Sequence, residues 1–176
     1  YYKNQLVLTG KINDVGAYTR TNIPVSYRAG IELTGYLGIN QWIGLEGNLA
    51  LSRNRVRDFT EFVDDYDNGG QRSIFHGESD IAFSPSIITS TTVNVYPLKN
   101  TEISFIGKYV GKQYLDNTSD DSRSLKAYYV QDLRVRYTRE KKDRISWNAF
   151  LQLNNLFSRK YEANGYTFSY IYGSRL

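Results

Sequence analysis

The 176-residue sequence has no cysteine, no methionine, three prolines and a single histidine. Without cysteine the chain has no disulfide framework and offers no thiolate to a metal ion, although this says little about its compartment. One histidine, His76, is too few for a metal site built from several imidazole ligands. There is also no basic tract, because 22 Lys and Arg residues are interspersed with 18 Asp and Glu residues. Nucleic-acid binding is therefore not indicated.

Long apolar runs are missing as well. No stretch approaches the roughly 18 consecutive apolar residues of a membrane-spanning helix, and the mean hydropathy is -0.52. Spanning by a helix is thereby excluded, but spanning by β-strands is not. Half of each barrel strand faces a polar interior, which keeps the average hydropathy low. With 40% hydrophobic residues, the chain could equally form one soluble domain with its own core.

Aromatic residues, in contrast, are abundant: 16 Tyr, 8 Phe and 2 Trp. Aromatic girdles at the two interfaces of a membrane barrel would account for this excess. Soluble carbohydrate-binding sheets can also be rich in tyrosine, so composition alone leaves both classes open.

Alternation of apolar and polar residues recurs along the chain and is clearest between Arg144 and Asn154. There only Phe150 interrupts the pattern of a strand with one apolar and one polar side. The same pattern predicts strands over 5–9, 28–39, 42–53, 81–96, 101–114, 127–139 and 144–154, with an eighth beginning near Tyr166. We therefore predict an all-β, antiparallel up-and-down meander without substantial helix.

The connections between these strands alternate in length. Short turns are predicted near residues 40, 97 and 140, and long polar loops over 55–80, over 115–126 and after 162; the polar stretch 11–26 is also predicted as a loop. A transmembrane up-and-down barrel has short turns on one side and long loops on the other, whereas a Greek-key sandwich has no reason to keep this order. The alternation favours part of a transmembrane β-barrel.

One segment resembles a known family. Asn155-Leu156-Phe157, followed by Lys160-Tyr161-Glu162 and Asn164-Gly165, resembles the sequence before the final strand of TonB-dependent outer-membrane receptors. Gly30-Ile31-Glu32 and its surroundings also resemble barrel sequence of that family. The resemblance implies that residues 1–176 are the C-terminal segment of a transmembrane β-barrel, cut at both ends, with the earlier strands and the plug domain absent.

The same resemblance implies a function. Such receptors lie in the bacterial outer membrane and take up scarce nutrients, and a ferric siderophore or a cobalamin-like ligand is the solute expected here. The expected partners are outer-membrane lipid, the protein's own plug domain and remaining barrel strands, the TonB complex through that plug, and a small-molecule nutrient. A soluble or surface β-sheet binding module and a passive porin-like barrel remain as alternatives.

Period-two spacing also predicts which residues share a face. The apolar set is Ile31, Leu33, Leu45, Leu49, Leu133, Val135, Leu151 and Leu153, and the opposite face carries Asp132, Arg134, Arg136, Asn148, Gln152 and Asn154. The polar set could contact a plug or a solute, although an ion-pair network within the wall is the favoured interpretation. In either case Arg residues in a membrane sheet must avoid the lipid, where one costs roughly 2 to 4 kcal/mol at the midplane.

The loop over 55–80 supplies the remaining candidates: Asp64, Asp65, Tyr66, Asp67 and His76. They could touch a ligand or a cation from the extracellular side, but their spacing matches no calcium loop, so a solvated loop is favoured. No serine carries a nucleophile signature, and the carboxylate pairs lie in turn-like sequence. We therefore predict neither an enzyme nor a cofactor.

Overall fold

The computed structural model describes residues 2–13, 18–140 and 145–173. In these ranges it contains eleven strands, one 3₁₀ helix at Asp121–Arg123 and no α-helix. The strands are β1 (Tyr2–Ile12), β2 (Tyr18–Asn40), β3 (Ile43–Asp65), β4 (Gln71–Asp80), β5 (Ile87–Leu98), β6 (Thr101–Val110), β7 (Gln113–Tyr114), β8 (Ser124–Leu125), β9 (Tyr128–Arg139), β10 (Trp147–Leu153) and β11 (Tyr170–Ile171). No helix in this described part of the chain is long and apolar enough to cross a membrane.

The main sheet has nine strands, of which β4 and β11 both pair with β3. The other seven strands follow in the order β1-β2-β3-β5-β6-β9-β10 through β3, each antiparallel to its neighbour. The predicted all-β, antiparallel up-and-down architecture is therefore confirmed. Among the described residues β1 and β10 do not pair with each other, so these seven strands form an open sheet.

Short turns join β2 to β3 and β5 to β6 at one end of the strands, which we call the turn end. At the first of them the Asn40 side-chain oxygen accepts hydrogen bonds from the backbone N–H groups of Trp42 and Ile43. Asn40 thereby caps a turn in which only two residues separate the strands. The third predicted short turn, over 140–143, includes residues 141–143, which lie outside the described residues. The long connections lie at the opposite end of the strands, which we call the open end.

The strand register confirms the predicted sidedness. Leu133 lies opposite Phe105 on β6 and Leu153 on β10, whereas the next residue, Arg134, lies opposite Ser104 and Gln152. Likewise Leu49 lies opposite Leu33 on β2. We call the side with the leucines the apolar face and the side with Arg134 the polar face.

The predicted loop over 55–80 was wrong, because most of this region is a hairpin that extends the sheet. β3 runs on to Asp65, and β4 returns beside it after a turn in which Gly69 and Gly70 have positive φ angles. Asp58 has a φ of 56° and lies where the pairing of β3 with β4 shifts register. After this bulge the buried side chains of β3 fall on residues of the opposite parity. A search for strict alternation along the sequence therefore fails here.

Two other predictions need correction. Residues 18–26, expected in a loop, form the first part of β2, which carries Pro24 within its length. Over 166–173, the described part of the expected eighth crossing, there is no long strand. Instead, the described residues after β10 run without regular structure to the two-residue strand β11, which pairs in parallel with the end of β3 at Asp64 and Asp65.

Buried apolar residues are concentrated toward the open end. Val7 and Ile23 from the β1–β2 hairpin pack with Val56 and Phe59 of β3 and with Ile81. Phe59 is 1% exposed, while Leu33 and Leu151 on the apolar face are 58% and 65% exposed. We call the part of the sheet between the turn end and the level of Leu51 the lower sheet. Its apolar face is exposed, and the buried core of the chain lies elsewhere, toward the open end.

Candidate functional site

The predicted polar-face residues hydrogen-bond mainly with one another and with neighbouring backbone groups. Arg134 Nε donates to Gln152 Oε1 over 2.9 Å, and Gln152 Nε2 donates to Asn154 Oδ1 over 2.6 Å. Asp132 Oδ1 accepts from the backbone N–H of Asn155 over 2.7 Å. These contacts are hydrogen bonds within the sheet and the turn after it, and both the ion-pair network in a barrel wall and contact with a plug or a solute stay predictions.

The network continues across the sheet toward β3. Arg136 Nη1 lies 3.6 Å from Glu102 Oε1, Ser104 Oγ donates to Asn94 Oδ1 over 2.7 Å, and Asn94 Nδ2 donates to Glu46 Oε1 over 2.8 Å. Arg136 also lines an open cavity of about 690 Å³ at the turn end. The last residue of the predicted set, Asn148, is exposed and lies opposite Thr138.

The Asn155-Leu156-Phe157 segment forms the turn that ends β10. Asn155 has a φ of 51°, in the left-handed region that asparagine tolerates better than most residues. Its side-chain oxygen accepts from the N–H of Arg159 over 2.8 Å, and Leu156 N–H donates to the carbonyl of Gln131 on β9 over 2.7 Å. These bonds turn the chain back across the polar face.

The loop candidates divide between strand and turn. Asp64 and Asp65 end β3, Tyr66 and Asp67 lie in the turn, and His76 is a strand residue in β4. Asp65 accepts hydrogen bonds from the Asn68 side chain and from the N–H groups of Asn68 and Asp67, and these bonds lower its pKa. Asp65 therefore acts as the cap of the hairpin turn.

His76 belongs to an ionic cluster that the sequence did not reveal. Its Nε2 lies 3.0 Å from Glu61 Oε2, and the other oxygen of Glu61 accepts from Arg123 Nη1. Arg123 Nη1 also donates to Asp116 Oδ2 over 3.1 Å, and its Nε lies 3.6 Å from Asp120 Oδ2. The cluster ties the loop between β6 and β9 to the extended β3–β4 hairpin.

Arg123 is the centre of this cluster. Its side chain is 11% exposed. Burial opposes its charge, but hydrogen bonds to Glu61 and Asp116 outweigh that effect and raise its pKa. The side chain of Glu61 is similarly buried, so the guanidinium compensates a carboxylate that water does not reach freely.

Residues 158–173, which we call the strap, cross the polar side of the sheet. Tyr161 stacks on Tyr128 of β9 with ring centroids 4.3 Å apart. Gly165 then packs against Leu115 and Leu125, where a Cβ atom would lie 3.1 Å from Leu115 Cδ2. The strap therefore leads from the edge strand β10 over the loop that contains Arg123.

At its far end the strap is joined to the tip of the β3–β4 hairpin. Tyr66 N–H donates to the Ile171 carbonyl over 3.0 Å, and Gly173 N–H donates to Asp67 Oδ1 over 2.8 Å. The rings of Tyr66 and Tyr170 meet edge to face, 5.8 Å apart. Two predicted loop candidates, Tyr66 and Asp67, are thus brought beside the strap.

A cavity of about 440 Å³ lies between the strap and the Arg123 loop. It is lined by Asp120, Ser122, Arg123, Thr167, Phe168, Ser169, Tyr170 and Tyr172. Sequence reasoning missed these residues, although the aromatic residues at every second position from Tyr166 to Tyr172 were a usable signal. In the part of the chain that the structure describes, no group of three or more His, Asp or Glu side chains is arranged to hold a metal ion.

Comparison with known proteins adds no assignment: no family model matches the sequence, and no curated protein matches it.

Proposed function

We propose that this chain is part of the wall of a transmembrane β-barrel in the bacterial outer membrane, of the TonB-dependent receptor type. The observation that carries the proposal is the apolar face, where Ile31, Leu33, Leu51, Phe105, Leu151 and Leu153 are all exposed. A monomer in water rarely leaves so large a continuous apolar surface uncovered. Lipid is the partner that such a face fits.

The height of the apolar band supports this proposal. On β3 it runs over the nine residues from Ile43 to Leu51, each in register with β5. A tilted strand crosses the bilayer with about 9 to 11 residues. Beyond the band the same face of β3 carries Arg53, Arg55 and Arg57, which pair with Glu78 and Asp80 of β4. Charge therefore begins where the crossing would end.

Aromatic pairs border the band at both edges. Toward the turn end Tyr137 and Trp147 lie with ring centroids 5.4 Å apart, and toward the open end Tyr109 lies opposite Tyr129. Gly107 leaves room for the Tyr129 ring, because a Cβ atom there would overlap the Tyr129 hydroxyl. Aromatic girdles of this kind mark the interfaces of outer-membrane barrels.

The transport function follows from the proposed family. The intact receptor would take up a scarce nutrient through a plug domain driven by the TonB complex, and this chain would contribute wall strands and open-end loops. The hydrogen-bonded polar face is the side that a plug would meet. As lipid-facing wall, the apolar face would have no catalytic role, and the proposal assigns the chain no reaction and no cofactor.

The test is uptake in cells that lack the gene and carry the full-length gene on a plasmid. We expect the gene to restore accumulation of one nutrient at limiting concentration, and an uncoupler that collapses the proton gradient to abolish that accumulation. Candidate solutes are ferric siderophores, cobalamin and oligosaccharides. Uptake that persists with the uncoupler would identify a passive porin-like barrel, and a protein recovered in the soluble fraction would identify a soluble binding module.

A further inference from the structure

The cavity between the strap and the Arg123 loop has a lining rich in hydroxyl groups and aromatic rings. Ser122, Thr167 and Ser169 contribute aliphatic hydroxyls, while Tyr170 and Tyr172 contribute rings that also carry hydroxyls. Such a lining suits a ligand that has both hydrogen-bonding edges and apolar faces.

The aromatic residues of the strap stand in a row. Tyr166, Phe168, Tyr170 and Tyr172 are separated by two residues each, and all four are exposed, whereas Ile171 between the last two is buried. Of the four residues in this row, the last three border the cavity and Tyr166 does not.

The charge around the cavity is negative. Arg123 is surrounded by Glu61, Asp116 and Asp120, so three carboxylates face one guanidinium and two negative charges remain. Hydrogen bonds from the Ser122 side chain and N–H lower the pKa of Asp120. The nearby hairpin tip adds Asp64, Asp65 and Asp67, and Arg72 acts on Asp65. An anionic ligand would meet repulsion at this end of the molecule.

We propose that this cavity binds a neutral oligosaccharide, with sugar rings stacked on Phe168, Tyr170 and Tyr172 and sugar hydroxyls donating hydrogen bonds to Asp120. The inference rests on the proposed function and names the substrate class for the open end. It departs from the ferric siderophore or cobalamin-like ligand expected from the family resemblance. An anionic ligand in particular is disfavoured, because Arg123 is already held by Glu61 and Asp116 and is not offered to an anion.

The test is calorimetric titration of the full-length protein in detergent with maltohexaose, cellohexaose and mannohexaose as neutral probes and hexagalacturonate as an anionic probe. We expect at least one neutral hexasaccharide to bind at least about tenfold more tightly than hexagalacturonate, a difference of about 1.4 kcal/mol. If hexagalacturonate binds as well as the best neutral probe, or if no neutral probe binds, the proposal is wrong.

Three variants localise the binding. Tyr170→Ala is expected to lower the affinity for the best neutral probe by at least about tenfold, because the substitution removes a ring on which a sugar would stack. Tyr170→Phe keeps the ring and should stay within about twofold, and Tyr166→Ala, in the same row but outside the cavity, should do the same. Equal losses in Tyr170→Ala and Tyr166→Ala would overturn the assignment.

Tyr170 also contacts Tyr66, so Tyr170→Ala could weaken binding by releasing the strap from the hairpin tip. Tyr172→Ala, which removes a different ring from the cavity lining, is therefore a second test. It should weaken binding in the same direction, and an unchanged affinity in both alanine variants would refute the site. The binding measurements need neither uptake nor a membrane potential. A failure here would therefore leave the proposed barrel and its transport function untouched, and they are tested separately.

Discussion

The lower sheet and the open end of this molecule differ in where their apolar side chains lie. In the lower sheet, between the turn end and the level of Leu51, apolar side chains are exposed on one face and polar side chains hydrogen-bond to one another on the other. At the open end Phe59 and Val56 are buried and arginines point outward. If the apolar face meets lipid, as we propose, the position along β3 where the pattern reverses marks the edge of the membrane.

The largest expected effect compares two phenylalanines, one in each region. Phe59→Ala removes a ring that is 1% exposed and should cost about 3 to 5 kcal/mol of unfolding free energy, because transfer and cavity terms add. Phe105→Ala, at a position that is 48% exposed, should cost about 1.5 to 3 kcal/mol, because lipid fills the space and only the transfer term is lost.

Urea-induced unfolding of the full-length protein from lipid vesicles measures both values. If Phe105 faces water instead of lipid, its replacement should change the unfolding free energy by no more than about 0.5 kcal/mol. That result would remove the contrast between the two solvents.

A slightly smaller effect is expected from a charge placed on each side of one strand. Leu49→Arg puts a guanidinium on the apolar face and should destabilise the protein in vesicles by about 2 to 4 kcal/mol. Asn48→Arg, the adjacent position on the polar face, should stay within about 0.5 kcal/mol. Equal tolerance of the two substitutions would argue against a lipid-facing surface.

Two ion pairs in the open-end loop sharpen the comparison within one region. Arg123→Gln leaves the buried Glu61 without its charged partner and should cost about 1 to 3 kcal/mol. Lys112→Gln breaks an exposed pair with Asp121 and should cost about 1 kcal/mol or less. Both are measured by thermal unfolding of the full-length protein, and similar losses would mean that burial of the cluster is not what gives it strength.

The smallest effect concerns acid. The pKa of Asp120 is lowered by hydrogen bonds from Ser122, and that of Asp121 by a hydrogen bond from Lys112. A carboxyl with a lowered folded pKa stabilises the fold above its ordinary pKa, 3.8 here, and loses that contribution as the pH falls through the folded value.

Exchange protection at the Ser122 and Arg123 amides, corrected for intrinsic exchange, should therefore stay level from pH 7 to about 5 and fall below 3.8. The variant Asp120→Asn should lack part of this decrease. Protection that is unchanged below that pH would contradict the role of these carboxylates.

The sequence predicted the strands whose alternation is clearest, such as β9 and β10, because period two reports directly which side chains share a face. It failed over 55–80, where the bulge at Asp58 shifts the parity and the outward arginines resemble a solvated loop. The Arg123 cluster could not be predicted either. Glu61 and Arg123 are far apart in sequence, and their strand and loop meet through contacts of the folded chain such as those of Ser79 and Asp80 with Asn117 and Ser119.

The central claim, that the apolar face meets lipid, is tested most directly with spin labels at two adjacent positions. The 176 residues contain no cysteine, so Leu49→Cys and Asn48→Cys can be labelled in the full-length protein after cysteines elsewhere are replaced. In vesicles the Leu49 label should be relaxed strongly by oxygen and weakly by a water-soluble nickel chelate, and the Asn48 label should show the reverse. Equal access of the nickel chelate to both labels would contradict the claim.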